Sequence, residues 1–416
     1  MRGLLLPLFY SIVFSAALTP LQSADWPWWR GPNRDGIADA NQSPPLKWSD
    51  TENVIWKAAV PGRGHGTPIV VGQRVYLTAA DQEAQEQLLL CFDRASGKEV
   101  WRSIVHQGGL RIEGNRKASL ASTTPACDGR QLYVNFLNDG AVHTTAVDLE
   151  GDLVWQQEIS DYVVHQGYGS SPAVYKGLVL VSADNKGGGA VAGLNAETGD
   201  FVWKHERPDK PNYPSPVVMH VDGRDQMVLT GCDLVSSYDP LTGDVLWEVE
   251  GATTECVTSA VTDGRHVFTS GGYPDNHISA VAADGSGELA WRETIRTYVP
   301  SMLIHDDHLF AVLDAGIAVC RVAATGEEVW KARLSGTMSS SPVLVGDRIY
   351  VTNERGLTFV FEASTEQFRL LAKNQLGDNV FATPVICDSR IYTRVAHTTE
   401  DSRQEFLYCL GERPQP

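Results

Sequence analysis

Thr198-Gly199-Asp200-Phe201-Val202-Trp203 is the stretch on which the fold turns, because the chain repeats it. Near-copies are Ser96-Gly97-Lys98-Glu99-Val100-Trp101, Glu150-Gly151-Asp152-Leu153-Val154-Trp155, Thr242-Gly243-Asp244-Val245-Leu246-Trp247, Ser286-Gly287-Glu288-Leu289-Ala290-Trp291 and Thr325-Gly326-Glu327-Glu328-Val329-Trp330. A degenerate copy, Thr365-Glu366-Gln367-Phe368-Arg369-Leu370, follows them. With Trp56, the repeated tryptophans stand 39 to 54 residues apart. A period of that size, filled with several short apolar runs, predicts a β-propeller or a similar array.

Working outward from the motif, each unit reads as four strands. The first opens at Thr67-Pro68, Thr124-Pro125, Ser171-Pro172, Ser215-Pro216, Ser341-Pro342 and Thr383-Pro384. Proline has no N–H to give a sheet, so it belongs at a strand start or an edge. The second strand is an apolar run after a turn, as in Val75-Tyr76-Leu77 and Ile349-Tyr350-Val351. The third carries a small residue two before Asp or Asn, as at Cys91, Ala146, Gly193 and Ser237. The Gly of the motif makes the turn into the fourth strand, and the Trp is large enough to fill the gap between blades.

Eight openings can be counted, adding Ala260 and Met302 to the six prolines. The last unit ends at Cys409-Leu410-Gly411 with no Trp strand after it. The orphan Val54-Ile55-Trp56 precedes the first opening. It is expected to supply the missing outer strand of the last blade and so close the ring. The fold class expected is therefore all-β, an eight-bladed propeller closed by an N-terminal strand. Seven blades stay open as an alternative if the fifth or sixth unit is irregular.

The domain plan is a signal peptide over 1–24, an aromatic strap over 25–52, the propeller over 53–411 and a tail over 412–416. Met1-Arg2, the apolar run Leu4 to Leu18 and Gln22-Ser23-Ala24 carry the signal reading. An uncleaved anchor is the alternative. The chain is expected to be exported, soluble after cleavage and monomeric, in the periplasm or outside the cell. The formal net charge of −17 argues against nucleic acid, whose phosphates it would repel. Cys91, Cys320 and Cys409 share one repeat column in different blades, too far apart to pair. Cys232 and Cys256 are left open as a pair between neighbouring blades.

Binding groups are expected in the loops that lead into the channel-lining strands, since loops at one end of a rigid scaffold converge. The candidates are Arg63, His65, Arg116, Tyr168, Tyr213, Glu255 and Tyr298, with Arg111, Glu113, Asn115, His165, Asn379 and Phe381 in the same loops. A small polar ligand, a peptide or a glycan suits such a mixture. No catalytic nucleophile arrangement is legible, and no metal site. Glu113, Asn115 and Glu255 are the best calcium candidates, well short of a full oxygen shell. Trp26-Pro27-Trp28-Trp29-Arg30 is read as a strap packing on the propeller, with a partner-binding patch as the alternative.

The repeated small-x-Asp-x-x-Thr-Gly-x-x-x-Trp pattern with Ser-Pro openings resembles the pyrroloquinoline quinone (PQQ)-like repeat. That resemblance implies the eight-bladed propellers of quinoprotein alcohol dehydrogenases and of a lipoprotein of the outer-membrane assembly machinery. Asp25 to Gly36, Asn53 to Lys57 and Pro61 to Pro68 look like exported bacterial proteins known as PQQ-binding-like. In the dehydrogenases the quinone lies between a Trp floor and a disulfide of adjacent cysteines, beside a calcium ion. This chain has no adjacent cysteines, and every Trp from position 56 onward belongs to the repeat, which leaves no Trp for the floor. The expectation is a non-catalytic binding or interaction scaffold without cofactor. A PQQ- and calcium-dependent dehydrogenase and a glycan- or peptide-binding receptor are the alternatives.

Overall fold

The computed structural model describes residues 25–400 and 402–412. The signal reading at 1–24 and the last four residues of the tail lie outside them. No helix among the described residues is long and apolar enough to cross a membrane.

Eight antiparallel sheets follow one another in chain order, and each is a blade. Blade 1 runs through Ile69–Val71, Arg74–Asp81, Glu86–Asp93 and Glu99–Gln107. Blade 8 has Val385–Cys387, Arg390–Thr398 and Arg403–Leu410, and takes Val54–Val60 as its outermost strand. The register pairs Val54 with Leu410 and Trp56 with Cys409. The ring thus closes with the first and last long strands of the propeller in one sheet. The fifth and sixth units are full four-stranded blades, so the seven-blade alternative is set aside.

The repeat motif works between blades. The Gly199 turn of blade 3 sits on Trp155 of blade 2, where an added Cβ would come within 2.6 Å of the indole. Gly97, Gly151, Gly243 and Gly326 meet Trp56, Trp101, Trp203 and Trp291 in the same way. Glycine is needed there for its positive φ and because the neighbouring ring lies flat against it. The Trp56, Trp101, Trp155, Trp203, Trp291 and Trp330 indoles also donate to a backbone carbonyl of the following blade. Trp247 differs: its indole N–H reaches the Gln226 side chain of its own blade.

The small-residue column faces that Trp. Cys91 pairs with Trp101, Gly193 with Trp203 and Cys320 with Trp330. All seven cysteines are buried free thiols, which also resolves the open Cys232–Cys256 question. Burial pushes the thiols up, to about 11 at Cys256 and Cys409 and about 12 at Cys91, Cys127, Cys320 and Cys387. Native protein is therefore expected to resist alkylation, while denatured, unreduced protein should take up seven labels by mass spectrometry. A disulfide joining any two of Cys91, Cys320 and Cys409 would refute the repeat alignment.

The strap crosses one end of the channel. Trp26 exchanges backbone hydrogen bonds with Val70 of blade 1, and the Pro27 carbonyl accepts from Cys127 of blade 2. The Arg34 guanidinium covers the Trp28 ring at 4.4 Å and donates to the Val174 carbonyl of blade 3. Buried Arg30 donates to the Met302 carbonyl at the entrance to blade 6. Ile37–Ala38 then adds a parallel strand to the inner edge of blade 7. Burial opposes the charge of both strap arginines and lowers the pKa of Arg30 and Arg34 alike to about 10.

Candidate functional site

The hydroxyl residues that precede each opening form a girdle around the channel. Six of the eight backbone N–H groups donate to the hydroxyl of the next blade: Thr67 to Thr124, Thr124 to Ser171, Ser171 to Ser215, Ser259 to Ser301, Ser301 to Ser341 and Ser341 to Thr383, at 2.8–3.1 Å. The link from Ser215 to Ser259 is replaced. There the Ser259 hydroxyl accepts from the Trp29 indole of the strap at 2.8 Å. Trp29 lies in the channel at this level. On its open side is a cavity of about 630 Å³; on its strap side the free space falls to about 10 Å³. Trp29 lines both spaces and forms part of the cavity's floor. This corrects the expectation that no Trp is spare for a floor: the residue comes from the strap, outside the repeat.

Five sequence candidates, His65, Tyr168, Tyr213, Glu255 and Tyr298, line this cavity. Arg63 and Arg116 do not; they line an adjoining groove of about 450 Å³ together with Arg111 and Glu113. Asn115 borders both, while Glu113 and Glu255 belong to different spaces, so the proposed calcium trio is not assembled. Among the described residues, no three His, Cys, Asp or Glu side chains are grouped to hold a metal.

Each side chain is placed by its blade. Glu255 is held through its backbone N–H to the Tyr273 carbonyl and is 3% exposed. Its Oε1 lies 3.1 Å from His165 Nε2, and its Oε2 accepts from the Tyr298 hydroxyl at 3.0 Å. Tyr298 donates its backbone N–H to Asp314 Oδ2 at 2.7 Å. Burial, then the Glu255 charge, pushes the Tyr298 hydroxyl far above its ordinary pKa, which keeps it a proton donor toward that carboxylate. Tyr213 is fixed next to Asn212, which bonds Asp184, Thr230 and Cys256 across blades 3 and 4. Tyr168 turns its hydroxyl away, to the Ser182 carbonyl, and offers the cavity only its ring.

His65 stacks on Phe381 with ring centroids 4.2 Å apart. Its loop packs against a buried pair, Arg394 and Glu405, and the Gly64 N–H donates to that carboxylate. Burial and then the nearby Arg63, Arg394 and Arg403 hold His65 well below the ordinary imidazole pKa, so it is neutral. The segment leading into blade 2 reaches over the mouth. Lys117 pairs with Glu354 of blade 7 at 2.8 Å, and the Arg63 guanidinium donates to the Lys117 carbonyl. That segment is why Trp101 and Trp155 are the most widely spaced of the repeated tryptophans. Trp29, Lys117 and Arg296 are cavity residues that the sequence reading missed.

The family model described as "Outer membrane protein assembly factor BamB", built on PQQ-like repeats, matches residues 85–321 and 274–367. The chain belongs to that family. An outer membrane protein assembly factor BamB from Burkholderia pseudomallei (strain K96243) is 24% identical over 357 residues, covering 81% of this chain and 84% of that protein. Among solved structures, BamB from Moraxella catarrhalis aligns with TM-score 0.59 at 13% identity, covering 85% of this chain and 99% of that one. A europium-containing methanol dehydrogenase aligns with TM-score 0.69 at 12% identity, covering 94% and 98%. Quinohemoprotein alcohol dehydrogenase from Comamonas testosteroni gives 0.66 at 13% identity, covering 96% and 82%. At such identities the structural likeness speaks for the fold.

The residues present do not fit a quinone with a metal ion. Calcium takes about six to eight oxygen ligands. Among the described residues, Glu255 is the one carboxylate lining the cavity, and both its oxygens are engaged by His165 and Tyr298. No cysteine lines the cavity to cap a ring laid on Trp29.

Proposed function

We propose that this chain is an exported, non-catalytic propeller that holds a partner at the mouth of its central cavity. The observation that carries the reading is the state of Glu255. The only acid lining the cavity among the described residues is spent on holding His165 and Tyr298 in place, which builds a rigid wall instead of a reactive group. The remaining surface combines rings and small donors, among them Trp29, Tyr213, Tyr298, Phe381 and the hydroxyl girdle, with the cations Lys117 and Arg296. Such a surface suits a peptide, a protein segment or a glycan end. The relative from Burkholderia, named as an assembly factor, supports a scaffold role for this chain.

A second reading, a quinoprotein dehydrogenase, draws on the Trp29 floor. One experiment separates the two. Purified protein is supplied with PQQ and calcium and assayed for dye reduction over several alcohols and sugars; no turnover is expected. In parallel, crosslinked capture from the native cell envelope should yield a partner that Tyr213→Ala with Tyr298→Ala loses. Turnover that vanishes in Glu255→Ala would install the enzyme in place of the scaffold.

A further inference from the structure

The chain as a whole is strongly acidic, with a net charge of −17, yet the mouth is not. Inside the cavity the charged residues are Lys117, Arg296 and Glu255; in the adjoining groove they are Arg63, Arg111, Arg116 and Glu113. Two of these cations are matched from outside, Lys117 by Glu354 and Arg111 by Asp139. Arg63, Arg116 and Arg296 have no carboxylate within 4.0 Å among the described residues. A concave surface of one sign on a body of the other focuses the local field and draws in counter-charged ligands.

Among the described residues, Arg296 is the cavity cation without a direct ion pair; its charge is felt at longer range by Asp314, which holds the Tyr298 backbone N–H. Its guanidinium lies 5.1 Å from the Tyr298 ring and donates one bond, to the Gly272 carbonyl at 3.2 Å. A guanidinium carries more donors than one carbonyl can use, in a planar fork that matches a carboxylate. The opposite charge, Glu255, is already satisfied. A cation with spare donors and no direct ion pair calls for a negative group, and the Tyr213, Tyr298 and Trp29 rings call for a flat or apolar group beside it. With Trp29 and the strap lying across the channel at this end, the cavity suits a small molecule or the end of a chain.

We infer that the mouth selects a ligand bearing a free carboxylate next to a ring or apolar group, with Arg296 as its anchor. The inference rests on the binding role proposed above and names the chemistry which that site accepts. The carboxylate can belong to a small aromatic acid or to the carboxyl end of a polypeptide.

Titration calorimetry on the full mature chain tests it with three probes: hippurate, N-acetyl-glycyl-phenylalanine as the free acid, and the same dipeptide as its amide. The free acids should bind at least about tenfold tighter than the amide, as one charge-assisted hydrogen-bonded pair allows. Arg296→Gln should remove that preference and leave the melting temperature unchanged, because the side chain is exposed. Arg296→Lys should keep part of it, and Arg130→Gln on the outer surface should keep all of it. Hippurate matching the dipeptide acid points to a small acid; a clear advantage for the dipeptide points to a chain end. Equal binding of acid and amide overturns the inference and leaves the binding role standing. Failure of every probe to bind at millimolar concentration also overturns the inference, and the capture experiment then decides the binding role by itself.

Discussion

A chain that begins at Pro61 is expected to lose its cooperative melt, whereas one that begins at Asn53 should keep it at a lower temperature. Both lack the strap; they differ in the strand Val54–Val60. That strand gives blade 8 its outer edge, with six paired positions from Val54–Leu410 to Val60–Glu405. It also carries Trp56, which is 7% exposed, packs on Tyr392 and takes the Gly97 turn of blade 1. Removing it uncovers the Arg403–Leu410 edge and breaks the blade 8–blade 1 contact in one step. A ring open at one joint has lost the constraint that holds every other joint, and it exposes an edge prone to pair with other chains. The loss should exceed several kcal/mol, with the melting midpoint falling by about 2 °C or more per kcal/mol. Circular dichroism melts of the two truncations decide it. Matching midpoints would show that the ring does not depend on this strand.

Much of that architecture was legible because its causes are local and recur. The Gly-x-x-x-Trp spacing, the Ser/Thr-Pro openings and the missing Trp after Cys409 each report one blade, and together they imply the closing strand. The loops holding His65, Tyr168, Tyr213, Glu255 and Tyr298 were found for the same reason, since each precedes an opening. What no local pattern carries is contact across the channel. Trp29 meets Ser259 at a separation of 230 residues, and Lys117 meets Glu354 at 237. Neither residue stands in a motif that points to its partner. The aromatic strap was visible, but nothing in it says which Trp enters the channel and which ones pack on blade edges. The only advance sign of the covered mouth was the wide gap between Trp101 and Trp155. Arg63 and Arg116 were picked as mouth residues on loop position alone, and the adjoining groove takes them instead.

Replacing Trp203 by Ala should cost about 3–5 kcal/mol, and the same change at Trp247 should cost about 1 kcal/mol less. The two residues hold the same repeat position and are almost equally buried, at 8% and 6% exposed. Their surroundings differ. Trp203 is bordered by Gly193 on its own blade and Gly243 on the next, and a Cβ at either would come within 2.5 Å of the ring. Neither glycine has a side chain that can move into the space left behind, so the hole stays open and its full cost is felt. The Pro240 carbonyl, buried and bonded to the indole at 3.3 Å, is left without that donor. Around Trp247 the corresponding neighbour is Ser237, and the indole N–H goes to Gln226 Oε1 at 2.8 Å. Gln226 keeps its bond from the Ser237 hydroxyl and its own donations to Val221 and Ala283. Its polar group therefore stays satisfied when the Trp is gone. Denaturant unfolding of the two variants measures the difference. A cost below about 1 kcal/mol at Trp203 would mean the indole faces solvent, and a reversed order would mean the glycine-lined hole collapses.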